Sequence, residues 1–168
     1  MEEQKTGCLV CGAPLEYLQS QIEMECTYCH KKFMSNARCV NGHFICDSCH
    51  EQMGLRVIED ICRHTDSRDP VAIMKKIILS PYIYMHGPEH HVLVGSVLLA
   101  AYKNAGGELD LDAALEEMRN RGTQVPGGIC GLWGTCGAAV STGIFISLIT
   151  GASPLSGKEW GLCNEMTS

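Results

Sequence analysis

The stretch that decides the fold is residues 8–49, CLVCGAPLEYLQSQIEMECTYCHKKFMSNARCVNGHFICDSC, which contains four short pairs of metal-ligand residues. The pairs are Cys8 and Cys11, Cys26 and Cys29, Cys39 and His43, and Cys46 and Cys49. Thiolate and imidazole are ligands that tetrahedral zinc prefers, and a Cys-x-x-Cys turn presents two thiolates to one ion. Eight such ligands complete two sites, so this stretch predicts two bound zinc ions.

The sequence leaves open how the pairs combine. Neighbouring pairs would give a zinc-ribbon-like module, whereas alternate pairs would give a cross-brace. We expect neighbouring pairs, because Gly12 follows the first pair and residues 15–25 could form a hairpin that returns the chain to the second pair. Either arrangement provides four protein ligands per ion, which is typical of structural rather than catalytic zinc.

Two segments of this stretch, CTYCH at 26–30 and CDSCH at 46–50, also match the attachment signature of c-type haem. That chemistry requires export, and the N-terminus MEEQKTGC has no apolar leader segment. We therefore favour zinc and expect a cytoplasmic protein, since clustered cysteines in a reducing compartment bind metal more often than they form disulfides. His30 and His50 are then expected at the surface or beside the ligands.

The chain has 168 residues and a net charge of −6, with no stripe of basic residues, so nucleic acid is an unlikely partner. Its composition divides near residue 55, because the rest of the chain is rich in small and aliphatic residues. We predict a metal-binding module of short β-hairpins at 1–55 and an all-α domain at 56–168. The apolar segment 132–149 is interrupted by Gly, Ser, Thr and Cys, so we expect a buried helix there and no membrane span.

Apolar periodicity and helix-end signals predict the helices of the second part. Asp69 and Pro70 suit the start of a helix that ends near Ser80. A second helix should begin at Pro88 and stop at Gly106, and a third should cover 111–120. A glycine-rich loop then leads into the apolar helix, and the spacing of Ser156 and Glu159 predicts a capping box on a last helix.

Six Cys and His residues after Asp69 lie outside the zinc ligands and form a candidate cofactor site: Cys130, Cys136, Cys163, His86, His90 and His91. Cys136 precedes the apolar helix, where unpaired N–H groups favour a thiolate. His90 also lies near a helix start, so both could face one site. The candidate catalytic residues are Cys136, Cys130 and His90, whereas Cys62 receives no role.

Three motifs carry a resemblance to a known family: MHGPEHH at 85–91, VPGGICGLWGTCGAA at 125–139 and TGASPLSGKEWGL at 150–162. The chain resembles an uncharacterised prokaryotic domain family that occurs alone or appended to class I S-adenosylmethionine-dependent methyltransferases. More distantly, the half from His90 to Cys163 is similar to the putative redox-active C-GCAxxG-C-C family. In that comparison TCGAA supplies Cys136, GGIC supplies Cys130, and a histidine stands at the first cysteine position.

The second resemblance implies metal or an iron–sulfur cluster rather than a dithiol cycle, because histidine keeps a ligand but removes a thiol. Three functions follow as hypotheses. The first is an iron–sulfur or catalytic metal site for a redox or sulfur-related step, beside two structural zinc ions. The others are a non-enzymatic interaction module and a thiol-dependent enzyme. Expected partners are a methyltransferase, a redox protein or a second copy of this chain.

Overall fold

A computed structural model describes residues 7–84 and 87–168 of the chain. It contains an antiparallel two-stranded hairpin beside the cysteine clusters, followed by an all-α part, which confirms the predicted fold class. The elements are β1 Leu15–Glu25, β2 Lys32–Cys39, α1 Asp47–His64, α2 Pro70–Ile78, α3 His90–Asn104, α4 Leu111–Gly122, α5 Ile129–Leu132, α6 Gly137–Thr150 and α7 Gly157–Thr167.

The hairpin consists of two strands, and it extends over more residues than the sequence analysis predicted. Residues 15–25 form the single strand β1 and not a hairpin of their own, so that prediction was wrong. β1 pairs with β2, with Leu15 opposite Cys39 at one end and Glu25 opposite Lys32 at the other. The register shifts between Tyr17 and Ile22, where β1 bulges. The second cysteine pair consequently lies in the hairpin turn.

The helix α1 was not predicted, although its apolar spacing was visible in the sequence. Leu55, Ile58 and Cys62 follow one another at helical intervals and are fully buried. The helix has no side-chain hydrogen bond at its N-cap, Cys46, so the usual start signal is missing. Because α1 runs from residue 47 to 64, it continues through the proposed division at residue 55, and that division stays a prediction.

The apolar core lies among α1, α2, α3 and α4, with partly buried residues of α6 packed against it. α3 is its centre, and nine of its residues are buried, including Leu93 and Leu99. α6 packs between α3 and α7. Such burial on every face explains why α3 lacks the alternation of polar and apolar residues seen in surface helices.

The structure confirms the predicted start of α2 but differs from the prediction at the start of α7. Asp69 caps α2, since its Oδ1 accepts a hydrogen bond from the Val71 N–H at 2.8 Å, and Pro70 is the first helical residue. Ser156 precedes α7, but the predicted capping box is not formed. Instead, the Ser156 hydroxyl accepts from the Ser153 N–H at 3.1 Å, because the turn before the helix captures it.

The apolar segment predicted as one helix over 132–149 is interrupted in the structure. α5 ends at Leu132 and α6 begins at Gly137, with Gly134 in a left-handed conformation between them. Among residues 7–84 and 87–168, no helix has the length and apolar character needed to cross a membrane.

Candidate metal centres and a cysteine-lined cavity

The first candidate metal centre, site 1, combines the first and third ligand pairs. Its ligand atoms lie within 4.8 Å of one another and belong to Cys8, Cys11, Cys39 and His43. The Cys11 and Cys39 sulfurs are 3.5 Å apart, and the Cys8 sulfur lies 3.7 Å from Nδ1 of His43. The backbone N–H of Val10 donates to the Cys8 sulfur at 3.4 Å. Such bonds stabilise thiolate charge at a metal site.

The second centre, site 2, combines the second and fourth pairs. It consists of Cys26, Cys29, Cys46 and Cys49, whose sulfur atoms also lie within 4.8 Å of one another. The Cys46 N–H donates to the Cys26 sulfur at 3.4 Å, which joins the hairpin turn to the residue before α1. Cys49 lies in the first turn of α1. Site 2 therefore links the hairpin directly to a core helix.

This cross-brace shows that the expected pairing of neighbouring ligand pairs was wrong. The cause is the strand register. Because Leu15 lies opposite Cys39, the start of β1, which follows the first pair, is placed beside the third pair. The second pair lies beyond the far end of β1, where the Thr27 N–H donates to the Phe44 carbonyl at 2.8 Å. The chain after Phe44 brings the fourth pair to that turn.

Local hydrogen bonds and burial act in opposite directions on the cysteine thiols of site 2. Burial opposes ionisation of Cys26, but the N–H groups of Cys29, Cys46 and Tyr28 outweigh it and lower its pKa to about 6. For Cys49, burial and the neighbouring sulfurs raise the pKa to about 12. Four thiolates therefore do not coexist in site 2 without a positive ion to offset their repulsion.

The donor sets fit a tetrahedral thiophilic metal. Both sites provide four convergent ligand atoms, and Cys8, Cys26, Cys39 and Cys46 are buried. Sulfur-rich tetrahedral sites of this kind bind zinc or iron. Since all four positions come from the protein, neither site keeps a position for substrate. Metal bound at both sites would hold in place a small hairpin that has little core of its own.

A separate cavity of about 430 Å³ lies in the helical part, and we call it the cysteine cavity. Its wall includes four of the predicted site residues: His90, His91, Cys130 and Cys136. They come from the start of α3, the short helix α5 and the N-cap of α6. Glycines 127, 128 and 137 leave room between them. Residues predicted to share a site thus share one cavity.

The imidazole of His91 is fixed within this cavity. Its Nδ1 donates to the Val125 carbonyl at 3.0 Å, so in the neutral ring the Nε2 lone pair is free. The Cδ2–Nε2 edge packs against Gly137, where a Cβ would collide with the ring. Glycine is therefore required at this position. The result is an oriented ring nitrogen at the N-terminus of α6, next to Cys136.

The other cavity side chains are placed differently. His90 Nε2 donates to the Tyr84 carbonyl at 2.7 Å, which leaves Nδ1 as its free nitrogen. Cys130 and Cys136 are both exposed. In sites 1 and 2, the ligand atoms all lie within 4.8 Å of one another. No other group of three or more Cys, His or acidic residues within 7–84 and 87–168 is as compact, so the side chains of the cysteine cavity are farther apart.

Two predicted members of the site lie elsewhere, and Cys62 has a different character. Cys163 is on α7, where its carbonyl accepts from the Thr167 hydroxyl, and it is not part of the cavity wall. His86 lies outside the described residues. Cys62 is buried in the core, and burial raises its pKa to about 12, so it is a neutral packing residue.

The sequence analysis missed a group around His50. This residue was expected at the surface or beside the ligands, and the structure excludes the surface: His50 follows the ligand Cys49 and is only 4% exposed. Its ring stacks on Tyr84 at 3.7 Å between centroids. The helical spacing of α1 could have placed it on the buried face, since Gly54 and Ile58 follow four and eight residues later and are buried on that side of the helix. Asp47 and Tyr84 lie beside it in a second cavity, described below.

Comparison with known families matches residues 58–168 to a family of unknown function, DUF5714. The match begins within α1, includes α2 to α7, and accounts for more than half of the chain. The chain belongs to this family. The predicted membership of an uncharacterised family is thereby confirmed. No curated protein and no solved structure matches the chain.

The DUF5714 range separates the two kinds of site. It includes His90, His91, Cys130 and Cys136, whereas every ligand of sites 1 and 2 precedes it. The methyltransferase association and the likeness to the C-GCAxxG-C-C family remain predictions. The cysteine cavity is thus the candidate site that belongs to the DUF5714 part of the chain.

Proposed function

We propose that the protein is a cytoplasmic metalloprotein with two structural zinc ions and a working site in the cysteine cavity. Sites 1 and 2 would hold the zinc, because they combine three or four thiolates with no open position. The cysteine cavity would take up an iron–sulfur cluster or a further metal ion for a redox or sulfur-related step. His91, Cys130 and Cys136 would be its ligands.

The single observation that carries this proposal is the fixed ring of His91. A metal-binding histidine usually donates its other ring N–H to a carbonyl or carboxylate, which orients the ring and keeps the ligating nitrogen unprotonated. The bond from His91 Nδ1 to the Val125 carbonyl is of this type. Both nearby thiols are exposed, so their side chains can turn toward a bound metal at little cost.

This site would differ from sites 1 and 2 in having fewer than four protein ligands. Cys163 is not part of the cavity wall, so it is not included among the proposed ligands. A site of two thiolates and one imidazole leaves a position for substrate or for a partner's ligand. A methyltransferase, a redox protein or a second copy of the chain would be such a partner. Trp133, 69% exposed after α5, offers a contact beside the cavity.

Metal analysis by element, on the full chain purified without oxygen, tests this proposal. We expect two zinc ions per chain together with iron or a third metal, and visible absorption if a cluster is present. Cys130→Ser and Cys136→Ser should lose the additional metal and keep both zinc ions. Cys163→Ser is the matched control and should lose nothing. A colourless wild-type protein containing only two zinc ions would contradict the additional site.

A second candidate, a thiol-dependent enzyme, is favoured by the same free nitrogen. Nε2 of His91 could accept the proton of a thiol. This nitrogen packs against Gly137, and Cys136 is the preceding residue in the chain. Iodoacetamide labelling of Cys136 across pH, mapped by mass spectrometry, tests this. A rate profile that matches an ordinary exposed cysteine, and that His91→Gln leaves unchanged, would reject the enzyme.

A further inference from the structure

A second and larger cavity, of about 580 Å³, lies between the hairpin and the loop that follows α2. We call it the hairpin cavity. Its wall includes residues from β1, β2, the start of α1 and residues 80–84. Its volume falls in the range of small-molecule sites. It is separate from the cysteine cavity, and the two have no lining residue in common.

Three aromatic rings make the wall suited to a flat apolar group. Tyr17, Phe44 and Tyr84 line the cavity, and Tyr17 and Tyr84 are 75% and 55% exposed. The ring of Tyr84 is held by its stack on His50, with 3° between the ring planes. Its backbone N–H donates to Glu89 at 2.9 Å, which anchors the same residue to the start of α3. The Tyr84 ring is therefore held in place before a ligand binds.

His50 adds a buried polar atom without a partner. This residue lines the cavity, and within the described part of the chain its Nε2 has no hydrogen-bond partner. Buried nitrogens in native proteins are nearly always paired, so an orphaned one calls for a ligand or water.

The charges around the cavity favour a positive ligand. Arg38 is occupied, since its Nε donates to Glu16 at 2.6 Å. Asp47 lines the cavity and forms no ion pair with any residue of the described ranges. The unbalanced charge at the cavity wall is therefore negative.

We propose that the hairpin cavity binds an organic cation, an ammonium or amidinium group carried on a flat apolar body. The body lies among Tyr17, Phe44 and Tyr84, which also attract the cation through their ring faces. The positive group donates to the Asp47 carboxylate. This proposal goes beyond the metal function above and does not depend on which metal occupies sites 1 and 2.

Two probes of similar shape and opposite charge test this proposal on the metal-loaded full chain. These are 2-phenylethylammonium and 3-phenylpropionate, followed by amide chemical shifts in nuclear magnetic resonance. We expect the ammonium to shift the amides of Tyr17, Phe44 and Tyr84 at millimolar concentration and the acid to leave them unchanged. Equal or tighter binding of the acid, or shifts confined to other parts of the chain, would overturn the proposal.

Variants identify the groups that recognise the cation. Asp47→Asn should weaken binding of the ammonium at least tenfold, and Asp66→Asn, which removes an exposed carboxylate elsewhere, should leave it unchanged. Tyr84→Leu keeps an apolar side chain and removes a ring face from the cavity wall, so it should also weaken binding. Metal content and circular dichroism check that each variant is folded. Equal losses in the two Asp variants would show a general charge effect and reject the site.

Discussion

At the scale of single residues, Cys62 shows how burial turns a reactive side chain into a packing group. It lies on the inner face of α1, in contact with the apolar core and fully buried. Transfer of a thiolate into such surroundings is unfavourable, so the pKa of this thiol is raised from 9.0 to about 12. The sequence analysis gave it no role, because it belongs to none of the four ligand pairs, and the fold shows that it is a core residue.

The raised pKa predicts a loss of stability in alkali. Below pH 9 the thiol is neutral in both folded and unfolded chains, and its contribution to stability is complete. Between pH 9 and 12 the unfolded chain ionises first, so the free energy of unfolding falls by up to about 1.4 kcal/mol per pH unit. Urea unfolding of the wild type and of Cys62→Ala at pH 8 and pH 10.5 measures this.

Comparing the wild type with Cys62→Ala separates the effect of Cys62 ionisation from the other effects of pH on stability. Cys62→Ala should be less stable than the wild type at pH 8, and this deficit should shrink at pH 10.5, because the variant lacks the ionising group. A deficit of the same size at both pH values would show that the buried thiol is not held neutral.

At the scale of elements, the contact between α3 and α6 depends on small residues. The Gly95 N–H donates to the Ser141 hydroxyl at 2.8 Å, and both residues are buried. A Cβ at Gly95 would collide with the side chain of Met118 and lie 2.8 Å from the Ser141 carbonyl oxygen. The small residues of α6, which resembled a membrane segment in the sequence, allow this close approach.

Gly95→Ala should therefore destabilise the protein by about 1–3 kcal/mol, the usual cost of overpacking a core. Alanine favours the helical backbone by only about 1 kcal/mol over glycine, which does not offset the collision. The matched control is Gly161→Ala on α7, where a Cβ meets nothing within 4 Å. Denaturant unfolding should show the control to be as stable as the wild type or more so. A loss of equal size in both variants would contradict this account.

At the scale of the whole molecule, the cross-brace makes the two metal centres depend on each other. Each centre takes one ligand pair from the chain before β2 and one from the end of β2 or beyond. Ligands of site 1 thus lie between ligands of site 2 along the chain. Loss of one ion frees a loop that the other ion must then close at greater entropic cost.

Cys46→Ser should consequently release more than the ion of site 2. We expect less than one zinc ion per chain after dialysis, whereas Cys163→Ser should retain both. Zinc content by elemental analysis gives the answer. A Cys46→Ser protein that keeps one full equivalent would show that the centres are independent despite their interleaved ligands.

Features that depend on the spacing of neighbouring residues could be predicted from the sequence. Features that depend on the register between the two strands could not. The ligand pairs, the all-α second part and the cap at Asp69 follow from neighbouring residues, and the structure contains each. The pairing of ligands required the contact between Leu15 and Cys39, which no local signal specifies. The place of His50 required the helix α1, whose start coincides with the metal ligand Cys46.

The dual use of α1 also constrains how this chain can change in evolution. One turn of the helix supplies Cys49 to site 2, and later turns supply Leu55 and Ile58 to the core. Each residue of an α-helix adds about 100° of rotation, so a single insertion between positions 49 and 55 would turn one function away from its target. The hairpin therefore cannot be exchanged as an independent unit, because the rotation of α1 fixes the orientation of site 2 relative to the core.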